Sequence, residues 1–227
     1  MTSDRIIIER VVSKMFDQNS YLVWKHGEPQ GVAIDPGFEV ETLIRLIRSN
    51  GLTLAEIWIT HGHADHIMGL ERLHREFPEA RIVIGAAEEE MLRDPEKNLS
   101  APMGFPVVAP AAGKIVRDGD SFEVAGMQVK TFEIAGHSPG SIVFVVTNQD
   151  PASAFVGDVI FQGSVGRVDL HATEGQKNME QLVSGIRQKL FSLPPETMLF
   201  PGHGPATTVL RERSENPYVG DETIAGD

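Results

Sequence analysis

The stretch Thr60-His61-Gly62-His63-Ala64-Asp65-His66 decides how this chain is read. It sets three histidines and one aspartate within six residues, in a sequence with only eight histidines. The run Glu56 to Ile59 before it reads as a short strand; Gly69 to Phe77 after it, with Leu70 and Leu73 inward, reads as a helix. Residues two apart do not share a helix face, so His61 and His63 align on one cation only if the segment is extended or tightly turned. Asp65 and His66 are then placed for a second cation. Gly62 and Ala64 are small enough to let the loop fold back.

Catalytic zinc usually takes three protein ligands and keeps one position open for water, so this loop needs partners. Three candidates lie downstream: His137 in Gly136-His137-Ser138-Pro139-Gly140, Asp158 in Val156-Gly157-Asp158, and His203 in Pro201-Gly202-His203-Gly204-Pro205. Each follows a strand-like run and is flanked by glycine or proline. Strand ends are rigid and position ligands well. The expected arrangement gives one metal His61, His63 and His137 and a second Asp65, His66 and His203. Asp158 bridges them, and water or hydroxide fills the remaining bridging position. A purely structural zinc is normally closed and often cysteine-rich, which this set is not. His26, His74 and His171 have no ligand-like neighbours and read as surface or capping residues.

Working outward, strands are expected at Arg5 to Val12, Asn19 to Trp24, Gly31 to Ile34 and Arg81 to Ile84. A hairpin is expected from Ser121 to Val124 and Met127 to Ile134. Further strands read at Ser141 to Val146, Ala154 to Val156 and Met198 to Phe200. Helical spacing appears at Glu39 to Ser49, Ala87 to Arg93, Asn178 to Leu190 and Thr208 to Arg213. Asp94 to Gly113, with four prolines, reads as a long surface loop of a length that suggests a lid. Strand clusters separated by single helices predict a layered α/β or α+β fold with mixed sheets. One domain, residues 1–215, and an acidic, frayed tail, 216–227, are the expected organisation.

The formal net charge of −12 and the lack of any Lys/Arg cluster argue against nucleic-acid partners. The chain has no cysteine, which excludes disulfides, thiolate metal sites and cysteine nucleophiles. No apolar run approaches the ~20 residues that span a bilayer, and no signal-peptide core follows Met1. A cytoplasmic protein, a monomer or small homo-oligomer acting on a small molecule, is expected.

At these residues the chain resembles the metallo-β-lactamase fold superfamily: His-Gly-His-Ala-Asp-His, then Gly-His-Ser-Pro-Gly, Gly-Asp and Pro-Gly-His-Gly, in that order. The resemblance implies a four-layer αββα sandwich with two divalent ions, zinc first and iron or manganese as alternatives, at one edge of the sheets. Phe161-Gln162-Gly163-Ser164-Val165-Gly166-Arg167-Val168-Asp169 is similar to a stretch of the short, one-domain glyoxalase II-like branch. That implies hydrolysis of thioesters of the hydroxyacylglutathione type by a metal-bridging hydroxide, with Asp65 orienting the nucleophile. Larger glyoxalase II enzymes carry a C-terminal helical domain whose basic residues meet the glutathione carboxylates. This sequence ends shortly after His203, which leaves Arg167 and Arg211 as the nominated substrate cations.

Two rival readings make distinct demands. A serine hydrolase would use Ser138 in a G-x-S-x-G pattern followed by Asp158 and His203, but needs a strand, a turn and then a helix. A persulfide dioxygenase of the same superfamily would hold one iron on His61, His137 and Asp158.

Overall fold

The computed structural model describes residues 5–170 and 175–221; His171 lies outside them. The chain opens with β1 (Ile6–Val12), β2 (Asn19–Lys25) and β3 (Gln30–Ile34), then helix α1 (Val40–Ser49) and β4 (Thr53–Trp58). The histidine loop contains a short helix, α2 (Ala64–Ile67), and leads into α3 (Leu70–Glu76), β5 (Arg81–Gly85) and β6 (Lys114–Val116). The second half runs β7 (Ser121–Val124), β8 (Met127–Ile134), β9 (Ser141–Val146), β10 (Ser153–Gly157) and the small hairpin β11 (Ile160–Phe161) and β12 (Ser164–Val165). It ends with α4 (Gly175–Gln188), β13 (Met198–Pro201), β14 (Thr207–Thr208) and α5 (Val209–Glu215).

Strands β1 to β6 form one sheet in sequence order; the second has the order β14-β13-β10-β9-β8-β7. Both are mixed: β3, β4, β5 and β6 pair in parallel, as do β10 and β13, while the remaining pairs are antiparallel.

Alternation along the strands explains the layering, because successive side chains point to opposite faces. Tyr21 and Val23, with Trp58 of the same sheet, face the second sheet, where they meet Phe144 and Phe155. Leu22 and Trp24 face outward onto Leu43, Ile44 and Ile47 of α1 and Leu70 and Leu73 of α3. In β9, Ile142, Phe144 and Val146 join the inter-sheet core, and Val143 and Val145 pack with Leu182 and Ile186 of α4. Three apolar interfaces thus separate four layers, the expected αββα sandwich. Each fully buried large aliphatic or aromatic side chain contributes roughly 1.5–3 kcal/mol, so the paired aromatics Trp58 and Phe144, stacked at 4.7 Å, anchor the middle layer.

Several expectations are corrected. Ala87 to Arg93 is a 3₁₀ turn at Glu89–Leu92 rather than an α-helix. The 94–113 segment is not simply a surface loop, since Asn98 and Ser100 are fully buried. Residues 216–221 are not frayed. Asn216 and Val219 are buried, Asn216 Nδ2 donates to Ser164 O at 3.0 Å, and Val219 O accepts from Arg187 Nε at 3.1 Å. Residues 222–227 lie outside the described part.

Candidate metal centre

The site forms where both sheets end at one edge. His61, His63, Asp65 and His66 follow β4, and Asp35 ends β3. His137 follows β8, Asp158 follows β10 and His203 follows β13. Two backbone bonds bring the later loops together: Gly202 N donates to Gly157 O at 2.8 Å, and Asn19 N of β2 donates to Gly202 O at 2.7 Å. Pro201 O accepts from Tyr21 Oη at 2.7 Å and Asn19 Nδ2 at 2.9 Å. The His203 loop is therefore pinned to the first sheet. Gly202 allows the closest approach: a Cβ there would collide with Asp158 Oδ1 and lie 2.6 Å from the His66 ring.

All seven expected side chains converge. Three overlapping groups have donor atoms within 4.8 Å of one another: His61, His63 and His137; His61, His66 and Asp158; Asp65, His66 and His203. Asp158 lies between the outer groups, with Oδ1 3.5 Å from His66 Nε2 and Oδ2 3.6 Å from His137 Nε2 and 3.5 Å from His203 Nε2. Asp65 Oδ2 is 3.2 Å from His203 Nε2.

The outer hydrogen bonds fix which ring nitrogens face inward. His137 Nδ1 donates to Arg167 O at 2.9 Å, and His203 Nδ1 to Phe16 O at 3.1 Å. Both acceptors are carbonyls, so both Nδ1 atoms carry the proton. Asp35, buried and in the left-handed region at φ 48°, sets the other two. Its Oδ1 accepts from Thr60 N at 2.8 Å; its Oδ2 accepts from Thr60 Oγ1 at 2.7 Å and His66 Nδ1 at 3.0 Å. Because Thr60 spends its proton on Asp35, its oxygen accepts from His61 Nδ1 at 3.1 Å. Four imidazoles thus present bare Nε2 lone pairs to the cluster, the tautomer that metal binding requires.

That arrangement fits cations. His61 Nε2 and His137 Nε2 lie 3.3 Å apart with no proton between them, so they repel unless a cation joins them. The spacing matches the ~3.4 Å edge of a tetrahedron with zinc–nitrogen bonds of about 2.05 Å. His66 Nε2 and Asp158 Oδ1 are buried without a hydrogen-bond partner, which is costly for polar atoms that bind nothing. Burial, reinforced by the neighbouring imidazoles, holds the His61 pKa well below the usual histidine value. Burial opposes the Asp158 carboxylate, yet His66, His137 and His203 hold its pKa far below the usual carboxylate range. Against the same burial, Asp65, Asp158 and Asp35 push His66 upward.

Sequence reading missed Asp35 and Glu88. Glu88 is fully buried and ties the two loops that flank His61, His63 and His137. Its Oε2 accepts from Gly62 N at 3.0 Å; its Oε1 accepts from Ser138 Oγ and Gly140 N, both at 2.7 Å. Ser138 is therefore a structural hydroxyl and not a nucleophile. Its other partner is Ser141 Oγ at 2.6 Å, and the strand β9 follows where an elbow needs a helix.

A cavity of about 350 Å³ opens over the cluster, lined on its inner side by His63, Asp65, His137, Asp158 and His203. Of the two nominated substrate cations, Arg167 lines it. Arg211 does not: it sits on α5, where its Nε donates to Glu215 at 3.1 Å. The 94–113 segment reaches the site. Asn98, Leu99 and Met103 form part of the cavity wall, and Asn98 O accepts from Ala64 N at 2.9 Å.

Comparison with known proteins agrees with this geometry. Hydroxyacylglutathione hydrolase GloC of Haemophilus influenzae is 30% identical over 218 residues, 95% of this chain and 99% of that protein. The crystal structure of the BLEG-1 B3 metallo-beta-lactamase superposes with a TM-score of 0.86 at 29% identity, covering 94% of this chain and 99% of that one. The structure of TTHA1623 in a di-iron-bound form gives a TM-score of 0.78 at 30% identity, covering 92% and 99%. Residues 14–203 match the profile of the Metallo-beta-lactamase superfamily. With its layers, its edge-on histidine cluster and that match in hand, this chain belongs to the metallo-β-lactamase superfamily.

Proposed function

We propose that the chain is a binuclear metal-dependent hydrolase of thioesters. The observation that carries this reading is the position of Asp158, whose two carboxylate oxygens face histidines of both donor groups. One ion is assigned to His61, His63 and His137, the other to Asp65, His66 and His203, with Asp158 shared. Zinc suits this set of imidazoles and carboxylates, as do iron and manganese. The likeness to GloC supports a thioester substrate, and the di-iron neighbour supports two ions per site.

When bound, the metals supply Lewis acidity and a water that ionises near neutral pH. The chain's residues do the remainder. With the ions bound, His61, His66, His137 and His203 would be neutral and aim Nε2 inward; Asp65, beside His203, is placed to accept a hydrogen bond from the attacking nucleophile and orient it. A thiolate leaving group needs little proton assistance, and among the described residues no acid beyond the cluster lines the cavity, which is consistent with thioester chemistry. The single-iron dioxygenase reading, with His61, His137 and Asp158, leaves His63, Asp65, His66 and His203 without a role as ligands.

The test is metal analysis with turnover. Two ions per chain and thioester hydrolysis lost on chelation and restored by zinc are expected. One iron per chain, with oxygen uptake on a glutathione persulfide, would overturn the reading.

A further inference from the structure

The polar floor of the cavity is the metal cluster; its walls are a different surface. Phe16, Leu99, Met103, Phe161 and Leu170 line them. Among the described residues, only Asn98 and Arg167, besides the cluster residues, bring polar side chains to this cavity. Both already have partners within the chain. Asn98 Nδ2 donates to Met91 O and Val107 O, both at 2.9 Å, while its Oδ1 accepts from Ser100 N at 3.1 Å and Ser100 Oγ at 2.5 Å. Arg167 closes a two-pronged pair with Asp169, Nε to Oδ1 and a terminal nitrogen to Oδ2, both at 3.1 Å. All 20 lysines and arginines of the chain lie among the described residues, and of these only Arg167 lines the cavity. The chain as a whole carries −12. Among the described residues, one arginine already paired with Asp169 is the lone lysine or arginine placed to meet the two carboxylates of a tripeptide thiol.

Leu99 is the wall residue held most deliberately. Its φ of 67° lies in the left-handed region, which an L-residue with a bulky side chain adopts only when its surroundings impose it. The buried Asn98 imposes it, since the amide bonds above and the Ala64 N bond to Asn98 O clamp the segment to the metal loop. The strained backbone sets an isobutyl group beside the metal floor.

We propose that this cavity selects thioesters by an apolar acyl group, with Leu99 as the specificity-determining residue, and discriminates against dicarboxylate thiols such as glutathione. This inference rests on the thioester-hydrolase reading and narrows its substrate class. At about 350 Å³ the cavity is near the small end of the roughly 300–1,000 Å³ typical of small-ligand sites. One methylene in an apolar pocket is worth roughly ten- to two-hundredfold in kcat/KM, so a medium-length chain is a sensitive probe.

The experiment uses the zinc-loaded protein with N-acetylcysteamine thioesters of acetate and hexanoate, and with S-D-lactoylglutathione. Hexanoyl is expected to exceed acetyl at least tenfold in kcat/KM, and to exceed lactoylglutathione as well. In Leu99→Ala the hexanoyl-to-acetyl ratio should fall about tenfold; Met103→Ala, at a half-exposed wall position, should lower it in the same direction if the first variant folds poorly. A hexanoyl-to-acetyl ratio near one, or a tenfold preference for lactoylglutathione, overturns the proposal. Calorimetry separates the two levels of inference: should no thioester be turned over, the hydrolase reading fails by itself. Binding of hexanoate at least tenfold tighter than acetate, lost in Leu99→Ala, would still uphold the apolar site, and equal binding would end it.

Discussion

Asp35 Oδ2 lies 3.0 Å from His66 Nδ1 and 2.7 Å from Thr60 Oγ1, so one buried carboxylate fixes two imidazoles from opposite sides of the metal loop. Through Thr60 it reaches His61, and directly it holds His66. Outer partners of metal-bound histidines are typically worth ten- to a hundredfold in metal affinity. Asp35→Asn is therefore expected to weaken metal retention by that factor. A competition titration with a chromophoric chelator measures it, and unaltered affinity would show that the tautomers are set elsewhere.

The two donor groups should empty separately. In His203→Ala the group of Asp65, His66 and His203 loses one of its three members, while His61, His63 and His137 remain complete. Elemental analysis of the dialysed variant is expected to find about one ion per chain in place of two, with kcat reduced by roughly 10²-fold or more. Two ions retained in full would remove His203 from the ligand set.

Glu88 predicts a stability effect. Glu88→Ala strands the buried Gly62 and Gly140 amides and takes an acceptor from Ser138 Oγ. A buried donor without a partner costs about 1–3 kcal/mol, so a total loss of about 3–4 kcal/mol is expected. Glu88→Gln, which keeps an acceptor oxygen, should fall between. Urea midpoints check this, and a loss under about 1 kcal/mol in Glu88→Ala would contradict the pairing.

Asp118 gives a pH signature away from the metals. Its partial burial works against ionisation. The Glu133 amide at 2.9 Å and Lys189 Nζ at 2.9 Å outweigh it and lower the carboxyl below its ordinary value of 3.8. The folded state thus binds this proton less tightly than the unfolded chain. The stabilisation is complete above the ordinary carboxylate range and fades as pH falls through the lowered folded value. Wild type should exceed Asp118→Asn in stability at neutral pH, with the gap narrowing in acid and in high salt. A gap independent of pH would assign the effect to something other than charge.

Legibility from sequence followed chemistry more than length. The hairpin Ser121–Val124 and Met127–Ile134 and the strand Ser141–Val146 were readable to the residue, because alternation or an unbroken apolar run marks them. Strands β11, β12 and β14 have two residues each, too few to carry any period. The four residues of the 61–66 loop stood out by their density, and His137, Asp158 and His203 because each follows a strand beside glycine or proline. Asp35 sits at such an end too, before Pro36-Gly37, yet reads as a turn residue, since a lone aspartate there is ordinary turn chemistry. Glu88 has no local signal at all; its partners are 26, 50 and 52 residues away. The prolines between Asp94 and Gly113 correctly indicated irregular backbone, but irregular did not mean exposed, because Asn98 supplies from its side chain the bonds a strand would have made.

The cluster draws its donors from both halves of the sandwich: four from the loop after β4, and three from loops after β8, β10 and β13. A chain nicked in the 117–120 turn between β6 and β7 would leave neither fragment with more than a partial set. Recombining the two pieces would recreate the complete constellation only when the sheets dock face to face. Metal uptake by such a split protein would then report native docking, with no need for a fluorescent tag or an enzymatic assay.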